Sequence, residues 1–393
     1  MGLVSGIVAP GFEPIAEAFA ETLIVQPGVG SAVSVAVGDN TVVDIFSGER
    51  ATGLAWERST QAMVWSVSKG VAAMAIMNLA DRGVINIDRP ISYTWPEFGT
   101  NGKRDITLTE VLTHASGLPW WEGFEDTVHF GSPKLWGDVD RITTSIASSA
   151  PMPQFKKRMA YHAFTFGWIL GEVVRRATGM TLGRIVRDRI SDPLGLKMGF
   201  GGERINSQTA PALLSPAIAD MRDVDSDFAN AASATRQALM MKVEGTFTDM
   251  LATVNTREFL QAETPGAALI SSAGDLAKAY AAVAGIEAMP ILASLPTRDA
   301  FIADHFAGPD QVTGSNRRMA VGFARNAYPS MIFGPGERIF GHPGLGGSLA
   351  FGDPDHRLGF AYVTNGLIPS NAIDGRARHV VDAVYRCAAC LAS

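Results

Sequence analysis

The sequence predicts an α+β protein whose sheet is built from both ends of the chain, with a mainly helical region between them. Three observations predict this fold class. Residues 31–48 are rich in β-branched residues on both sides of Gly38-Asp39-Asn40, which is typical of a β-hairpin. Residues from about 61 to 285 have mainly helical and loop patterns. Strand patterns return from about residue 320 and end before a final helix.

The elements follow one another in a regular order. Helical patterns occupy 69–83, 108–118, 164–179, 181–190 and 272–285. Gly83 and Gly179 stand where the C-terminus of a helix favours a residue with positive φ. Strand patterns occupy 318–326, 338–354 and 357–366, and the closing helix is amphipathic.

Composition and charge exclude several classes of partner. The chain has 393 residues, 47% of them hydrophobic, and a net charge of -6 without a basic stretch interleaved with aromatics, so we expect no nucleic-acid partner. Its apolar stretches are shorter than the roughly 18 residues of a membrane span, so we expect no membrane partner. The first basic residue is Arg50, which leaves no positive region for a secretory signal, and we expect a cytoplasmic protein.

Metal and cofactor motifs are weak. Cys387 and Cys390 are the only cysteines, and two thiols on one helix face are the ordinary interpretation, with a redox or metal pair as the alternative. An Asp-rich segment invites a calcium loop, but counted from Asp223 the sixth and twelfth positions are Phe228 and Ala234 instead of Gly and Glu. The sequence has no His-Glu-x-x-His and no phosphate-binding loop. We therefore expect no metal and no cofactor.

Ser66 and Lys69 stand three residues apart at the head of an almost wholly apolar helix. This spacing places both side chains on one helix face, and burial lowers the pKa of a lysine toward the range where it accepts a proton. Such a pair is a candidate nucleophile and base. The alternative is that Ser66 caps the helix while Lys69 extends to the surface. The chain has no Gly-x-Ser-x-Gly, so a nucleophile elbow has no candidate.

Four further blocks accompany this pair, at 112–121, 161–179, 270–283 and 340–365. In order and spacing, the set resembles the serine β-lactamase and penicillin-binding-protein superfamily, and it is most similar to the family VIII carboxylesterases, which are β-lactamase-like serine esterases. The resemblance implies an antiparallel sheet flanked by helices with an inserted all-helical region. It divides the chain into a sheet domain, 1–60 together with 286–393, and a mainly helical domain, 61–285, with the active site at their junction.

The resemblance also implies roles for individual residues. Ser66 would be the acylated nucleophile, Lys69 its proton acceptor, and Tyr161 the phenol that passes a proton to the leaving group. His342-Pro343-Gly344 matches the position where β-lactamases have Lys-Thr-Gly. The backbone N–H groups of Ser66 and Leu345 would form the oxyanion hole.

Two departures from the family pattern bear on the substrate. His342 replaces a lysine that helps to hold a substrate carboxylate, and Ala163 replaces an asparagine that contacts a substrate amide. Both changes favour a neutral ester over a charged amide. Trp120, Trp121 and Trp136 are candidate pocket residues, with a structural role as the equal alternative.

The sequence therefore predicts a serine carboxylesterase that hydrolyses small to medium neutral esters through an acyl-enzyme, with a small-molecule ester as its partner. Three alternatives stay open: a β-lactamase or D-amino-acid peptidase-like amide hydrolase, a transacylase, and a non-catalytic covalent sensor or scaffold.

Overall fold

The computed structural model describes residues 4–24, 26, 28–202, 205–215, 247–285, 292–368 and 373–387. Its main sheet has nine strands in the order β1-β3-β2-β9-β8-β7-β6-β5-β4, and every neighbouring pair is antiparallel. The strands are β1 Ser5–Val8, β2 Ser31–Val37, β3 Asn40–Ser47, β4 Phe306–Pro309, β5 Asn316–Met319, β6 Ala324–Arg325, β7 Phe340–Pro343, β8 Leu349–Asp353 and β9 Leu358–Thr364. Both ends of the chain build this sheet, which confirms the predicted fold class.

Helices occupy most of the region between the two groups of strands. The helices are α1 Glu13–Leu23, α2 Val67–Asp81, α3 Leu108–Leu112, α4 Phe124–Thr127, α5 Val139–Ser148, α6 Thr165–Thr178, α7 Leu182–Val186, α8 Phe247–Val254, α9 Arg257–Gln261, α10 Ala273–Ala284, α11 Leu295–Ile302 and α12 Gly375–Arg386. Short 3₁₀ turns and one π-helical turn at Arg187–Ser191 connect some of them. A small three-stranded sheet also lies here, with Gln61–Met63 between Thr209–Ala210 and Ile270–Ser271.

The main sheet is covered by helices on both faces. Alternate residues of β9 point to opposite faces of the sheet. On one face Tyr362 contacts Phe19 of α1, with ring centroids 6.4 Å apart, and α12 packs beside α1. On the other face α10 packs against β2, β8 and β9. A Cβ at Gly359 would lie 1.9 Å from the carbonyl oxygen of Ala277, so this close approach of α10 requires a glycine.

The structure confirms the predicted hairpin and both predicted helix ends, since Gly83 and Gly179 have φ of 68° and 70°. It differs from the sequence patterns at several places, and the longest unpredicted helix is α1 at Glu13–Leu23. Strands β1 and β4 were not predicted, because both are short and lack a continuous buried face. The pattern at 108–118 is helical only to Leu112.

The division into 1–60 with 286–393 and 61–285 stays a prediction, and α10, which that division assigns to the helical part, packs on the sheet. Helix α2 is buried from Val67 through Leu79, as its apolar sequence predicts. It contacts α6, α7 and α11 as well as strand β7. The N-terminus of α2 is therefore held between the sheet and the helical region.

Candidate active site

Ser66 lies immediately before α2 and is buried. The preceding Trp65 has φ of 50°, a left-handed conformation that is costly for a bulky residue. The Ser66 side chain makes no capping hydrogen bond to the helix, and Lys69 has no exposed surface. The alternative in which Ser66 caps the helix and Lys69 extends to solvent is therefore wrong.

The amine of Lys69 has three oxygen neighbours. Its Nζ lies 2.8 Å from the carbonyl oxygen of Ala163, 2.7 Å from that of Gly266, and 3.2 Å from Oγ of Ser66. Burial holds the pKa of Lys69 well below its ordinary value of 10.5. Because carbonyl oxygens only accept, a neutral amine directs its two N–H bonds to Ala163 and Gly266. Its lone pair is then left for the Ser66 hydroxyl.

Close backbone packing brings these two carbonyls together. Ala163 stands just before α6, and Gly266 lies in the loop that crosses the start of that helix. A Cβ at Gly167 of α6 would lie 2.1 Å from the backbone nitrogen of Gly266. Glycine at 167 therefore allows the loop to approach α6 closely enough for both carbonyls to reach Lys69.

Tyr161 makes the second contact with the serine. Its hydroxyl donates to Oγ of Ser66 at 2.9 Å, and its backbone N–H donates to Oδ1 of Asp310 at 3.0 Å. The Lys69 Nζ lies 5.0 Å from the centroid of the tyrosine ring. Burial raises the pKa of Tyr161 to about 12, against the opposing effects of the Ser66 hydrogen bond and the Arg317 charge. The phenol is therefore protonated at neutral pH.

His342 lies on β7, with its ring centroid 6.2 Å from that of Tyr161. Burial, and after it the electrostatic interaction with Lys69, lowers the pKa of His342 to about 3, so the imidazole is neutral. Its Nδ1 lies 2.7 Å from the carbonyl oxygen of Pro343, which only accepts. The proton is therefore on Nδ1, and Nε2 is left as an acceptor.

The backbone N–H groups of Ser66, Gly344 and Leu345 differ in whether they already have a hydrogen-bond acceptor. The N–H of Gly344 donates to the carbonyl oxygen of Ser348 at 2.6 Å. In the part of the chain that the structure describes, the N–H groups of Ser66 and Leu345 have no hydrogen-bond acceptor. These two N–H groups can therefore bind an oxyanion, whereas that of Gly344 is already bonded.

The turn after β7 is held by a residue that sequence reasoning missed. Nη2 of the buried Arg376 donates to the carbonyl oxygen of Gly346 at 2.7 Å, and Nη1 donates to that of Gly366 at 3.0 Å. Asp374 pairs with the same guanidinium at 2.8 Å. A cation in the first turn of a helix opposes the helix dipole, and this anomaly at the start of α12 was the available signal.

The three candidate pocket tryptophans lie in different surroundings. Trp121 and Trp136 are closed to solvent: Trp121 packs on Trp168 with centroids 6.0 Å apart, and Trp136 stacks on Phe130 at 5.2 Å. In this conformation they belong to an aromatic core and line no open pocket. Trp120 is half-buried, so it is the one of the three with exposed surface.

Most of the candidate metal-binding residues lie outside the part of the chain that the structure describes. Cys390 and the Asp-rich segment around Asp223 lie outside the described residues, while Cys387 is buried. Among the described residues, no group of three or more His, Cys, Asp or Glu side chains is arranged to hold a metal ion.

Comparison with known proteins identifies the family. A profile of the β-lactamase family matches residues 17–384. The esterase/β-lactamase LipL of Mycobacterium tuberculosis is 30% identical over 93% of this chain and 83% of its own. A family VIII carboxylesterase is 27% identical with a TM-score of 0.81, covering 98% of this chain and 100% of its own. EstA from Arthrobacter nitroguajacolicus Rue61a is 29% identical with a TM-score of 0.80, covering 99% and 100%.

The chain therefore belongs to the β-lactamase family, and it is a serine hydrolase of the esterase/β-lactamase kind. No described helix is long and apolar enough to cross a membrane. The cytoplasmic location stays a prediction.

Proposed function

We propose that the protein is a carboxylesterase that hydrolyses small to medium neutral esters, with Ser66 as the acylated nucleophile. One observation carries the proposal: Lys69 and Tyr161 both contact Oγ of Ser66, at 3.2 Å and 2.9 Å. The amine is held in a site that favours its neutral form, and the phenol in a site that favours its protonated form. A base and an acid therefore meet at one hydroxyl.

The reaction follows from these protonation states. Oγ of Ser66 attacks the ester carbonyl as its proton passes to Nζ of Lys69, and the resulting oxyanion is bound by the backbone N–H groups of Ser66 and Leu345. The tetrahedral intermediate expels the alkoxide, which takes the proton of Tyr161, and Lys69 then restores the phenol. Water attacks the acyl-enzyme with Lys69 as base, which releases the acid and regenerates the Ser66 hydroxyl.

Two features support a neutral ester as the substrate. His342 stands on β7 where related β-lactamases carry a lysine, and a neutral imidazole leaves that position without a fixed charge for a substrate carboxylate. At Ala163 the side chain is a methyl group, so it offers no amide to hold a peptide. An ester of an aliphatic acid needs neither contact.

Amide hydrolysis is the second candidate. The name of the relative LipL joins esterase with β-lactamase, and the charge of Arg317 acts on both Tyr161 and His342. A cation near the site favours a substrate that carries a carboxylate, as β-lactams do. Ester and β-lactam turnover should therefore be compared on the same preparation.

The test combines turnover with intact-mass spectrometry. We expect hydrolysis of p-nitrophenyl acetate, butyrate and octanoate, a trapped acyl adduct on Ser66, and much slower hydrolysis of a chromogenic cephalosporin. Both turnover and adduct should vanish in Ser66→Ala. Ser68→Ala is the matched control, because this buried serine of the same helix turn accepts the N–H of Leu269 at 3.0 Å. Unchanged turnover in Ser66→Ala would contradict the mechanism, and faster cephalosporin hydrolysis would favour the amide.

A further inference from the structure

His114 occupies a left-handed backbone conformation that is uncommon for residues other than glycine. The chain leaves α3 after Leu112, and His114 has φ of 60° in the left-handed region, where glycine or asparagine fits with least strain. The residue is nevertheless fully buried. A histidine in this place therefore indicates that its side chain contributes something that glycine would not.

The contacts of His114 surround Tyr161. Its carbonyl oxygen accepts the N–H of Ala160 at 2.9 Å, and its Nδ1 accepts the N–H of His162 at 3.1 Å. The imidazole also packs on the Tyr161 ring, with centroids 4.8 Å apart. One residue therefore holds the backbone on both sides of Tyr161 and one surface of its ring.

A neighbouring histidine fixes the hydrogen-bond pattern. Nδ1 of His162 lies 2.5 Å from the carbonyl oxygen of Ala160, so that nitrogen carries the proton and Nε2 accepts from the hydroxyl of Ser116 at 2.6 Å. Because Nδ1 of His114 accepts the backbone N–H of His162, the proton of the His114 ring is on Nε2. Both rings are therefore used in the neutral form.

The charge around His114 keeps it neutral. Burial holds its pKa well below the ordinary 6.5, and four neighbouring groups act in the same direction. Those groups are His162, Lys69, His342 and Arg317. Neutral His114 therefore places no positive charge beside the Lys69 amine that must accept a proton.

We infer that His114 is a positioning residue that aims the Tyr161 hydroxyl at Ser66 Oγ and at the leaving alkoxide. The inference rests on the proposed function, because it assigns to Tyr161 the delivery of a proton to the leaving group. It predicts that removing the His114 side chain slows hydrolysis most for the substrates whose leaving group must be protonated.

Two esters of one acid provide the test. Ethyl butyrate and p-nitrophenyl butyrate form the same acyl-enzyme, but ethoxide needs a proton to depart and p-nitrophenolate does not. In His114→Asn, which tolerates positive φ and keeps an acceptor for the N–H of His162, kcat/KM for ethyl butyrate should fall about tenfold to a hundredfold. The value for p-nitrophenyl butyrate should fall much less. His114→Gly, which removes the ring and the strain, should show the same split.

A double-variant cycle separates positioning from a general structural role. If His114 acts through Tyr161, adding His114→Asn to Tyr161→Phe should cost ethyl butyrate turnover nothing further. His356→Asn is the matched control: its Nδ1 lies 2.8 Å from Oδ2 of Asp353 and its ring contacts Tyr385, but it lies in the turn between β8 and β9. In His356→Asn the ratio of kcat/KM for ethyl butyrate to that for p-nitrophenyl butyrate should equal the wild-type ratio.

The outcomes are distinct. Equal losses on both esters, or losses that multiply in the double variant, would overturn the positioning role while leaving the acyl-enzyme intact. A wild type that forms no butyryl adduct on Ser66 would instead contradict the proposed function itself.

Discussion

Two of the lysines that the structure describes, Lys69 and Lys103, are fully buried, and they lie in contrasting sites. Nζ of Lys103 is bonded to three backbone carbonyls, those of Thr100 at 3.1 Å, Ala147 at 3.0 Å, and Ser149. Nζ of Lys69 is bonded to two carbonyls and a serine hydroxyl. Within the described residues, neither lysine has a carboxylate partner.

The number of carbonyls decides what each amine can do. An amine that donates to three carbonyls at once must be an ammonium with three N–H bonds, and burial lowers the pKa of Lys103 only to about 8, which leaves it charged at neutral pH. Two carbonyls are satisfied by a neutral amine, whose lone pair faces Ser66. Burial alone therefore does not leave a lysine with a lone pair for a serine; in the mechanism that we propose, the hydroxyl that replaces the third carbonyl is the group that Lys69 deprotonates.

The largest expected effect comes from exchanging each lysine for methionine. In Lys69→Met the serine loses its base, and kcat/KM for p-nitrophenyl butyrate should fall by about 10⁴-fold, near the upper end for a general base. In Lys103→Met the same quantity should stay near the wild-type value. Circular dichroism should show that both variants are folded. Similar losses of kcat/KM in the two variants would show that Lys69 has no catalytic role that Lys103 lacks.

The pH dependence of kcat/KM is the second test of the role of Lys69. Lys69 must be neutral to accept a proton, so kcat/KM should rise with pH through a pKa far below 10.5, and Tyr161 should stay protonated up to about pH 12. His342, whose pKa is about 3, should contribute no inflection near neutrality. The acid limb should therefore persist in His342→Gln. Its disappearance in that variant would assign the limb to the histidine.

Stability should respond in the opposite way to activity. Lys103 joins the loop at Thr100 to the C-terminal carbonyls of α5. In Lys103→Met the buried carbonyl of Ser149 loses its donor among the described residues, while those of Thr100 and Ala147 lose one of two donors, since they keep the backbone N–H of residue 103 and the hydroxyl of Thr100. We expect the free energy of unfolding at pH 7 to fall by about 1–3 kcal/mol. Urea unfolding measures it, with the exposed Lys134→Met as the control that should change little. No loss relative to that control would contradict the role of the carbonyls.

Sequence patterns predicted much of this molecule. The fold class, the hairpin, the burial of α2 and the pairing of Ser66 with Lys69 follow from side-chain pattern and spacing. The family resemblance added Tyr161, which lies 95 residues along the chain from Ser66 and which the structure places against it. Contacts at such a separation have no local periodicity that spacing alone could detect.

What could not be predicted depends on backbone atoms or on distant packing. The carbonyls of Ala163 and Gly266 that bind Lys69 carry no side-chain signal. The hydrogen bonds that His114 accepts from the N–H groups of Ala160 and His162 depend on a positive φ, which the sequence does not reveal. Trp121 and Trp136 illustrate a second limit, because an aromatic cluster in a loop has the same composition whether it lines a pocket or closes a core.

The smallest effect concerns the pH dependence of stability. The pKa of Lys103 is about 8 in the native state and near its ordinary 10.5 when unfolded, so between these values the unfolded chain binds a proton that the native chain has lost. The stability of the wild type relative to Lys103→Met should therefore be flat below pH 8 and rise above it, by at most about 1.4 kcal/mol per pH unit. Urea unfolding from pH 7 to 10 measures this difference. A relative stability that falls above pH 8 would mean that the three carbonyls hold the ammonium more tightly than water does.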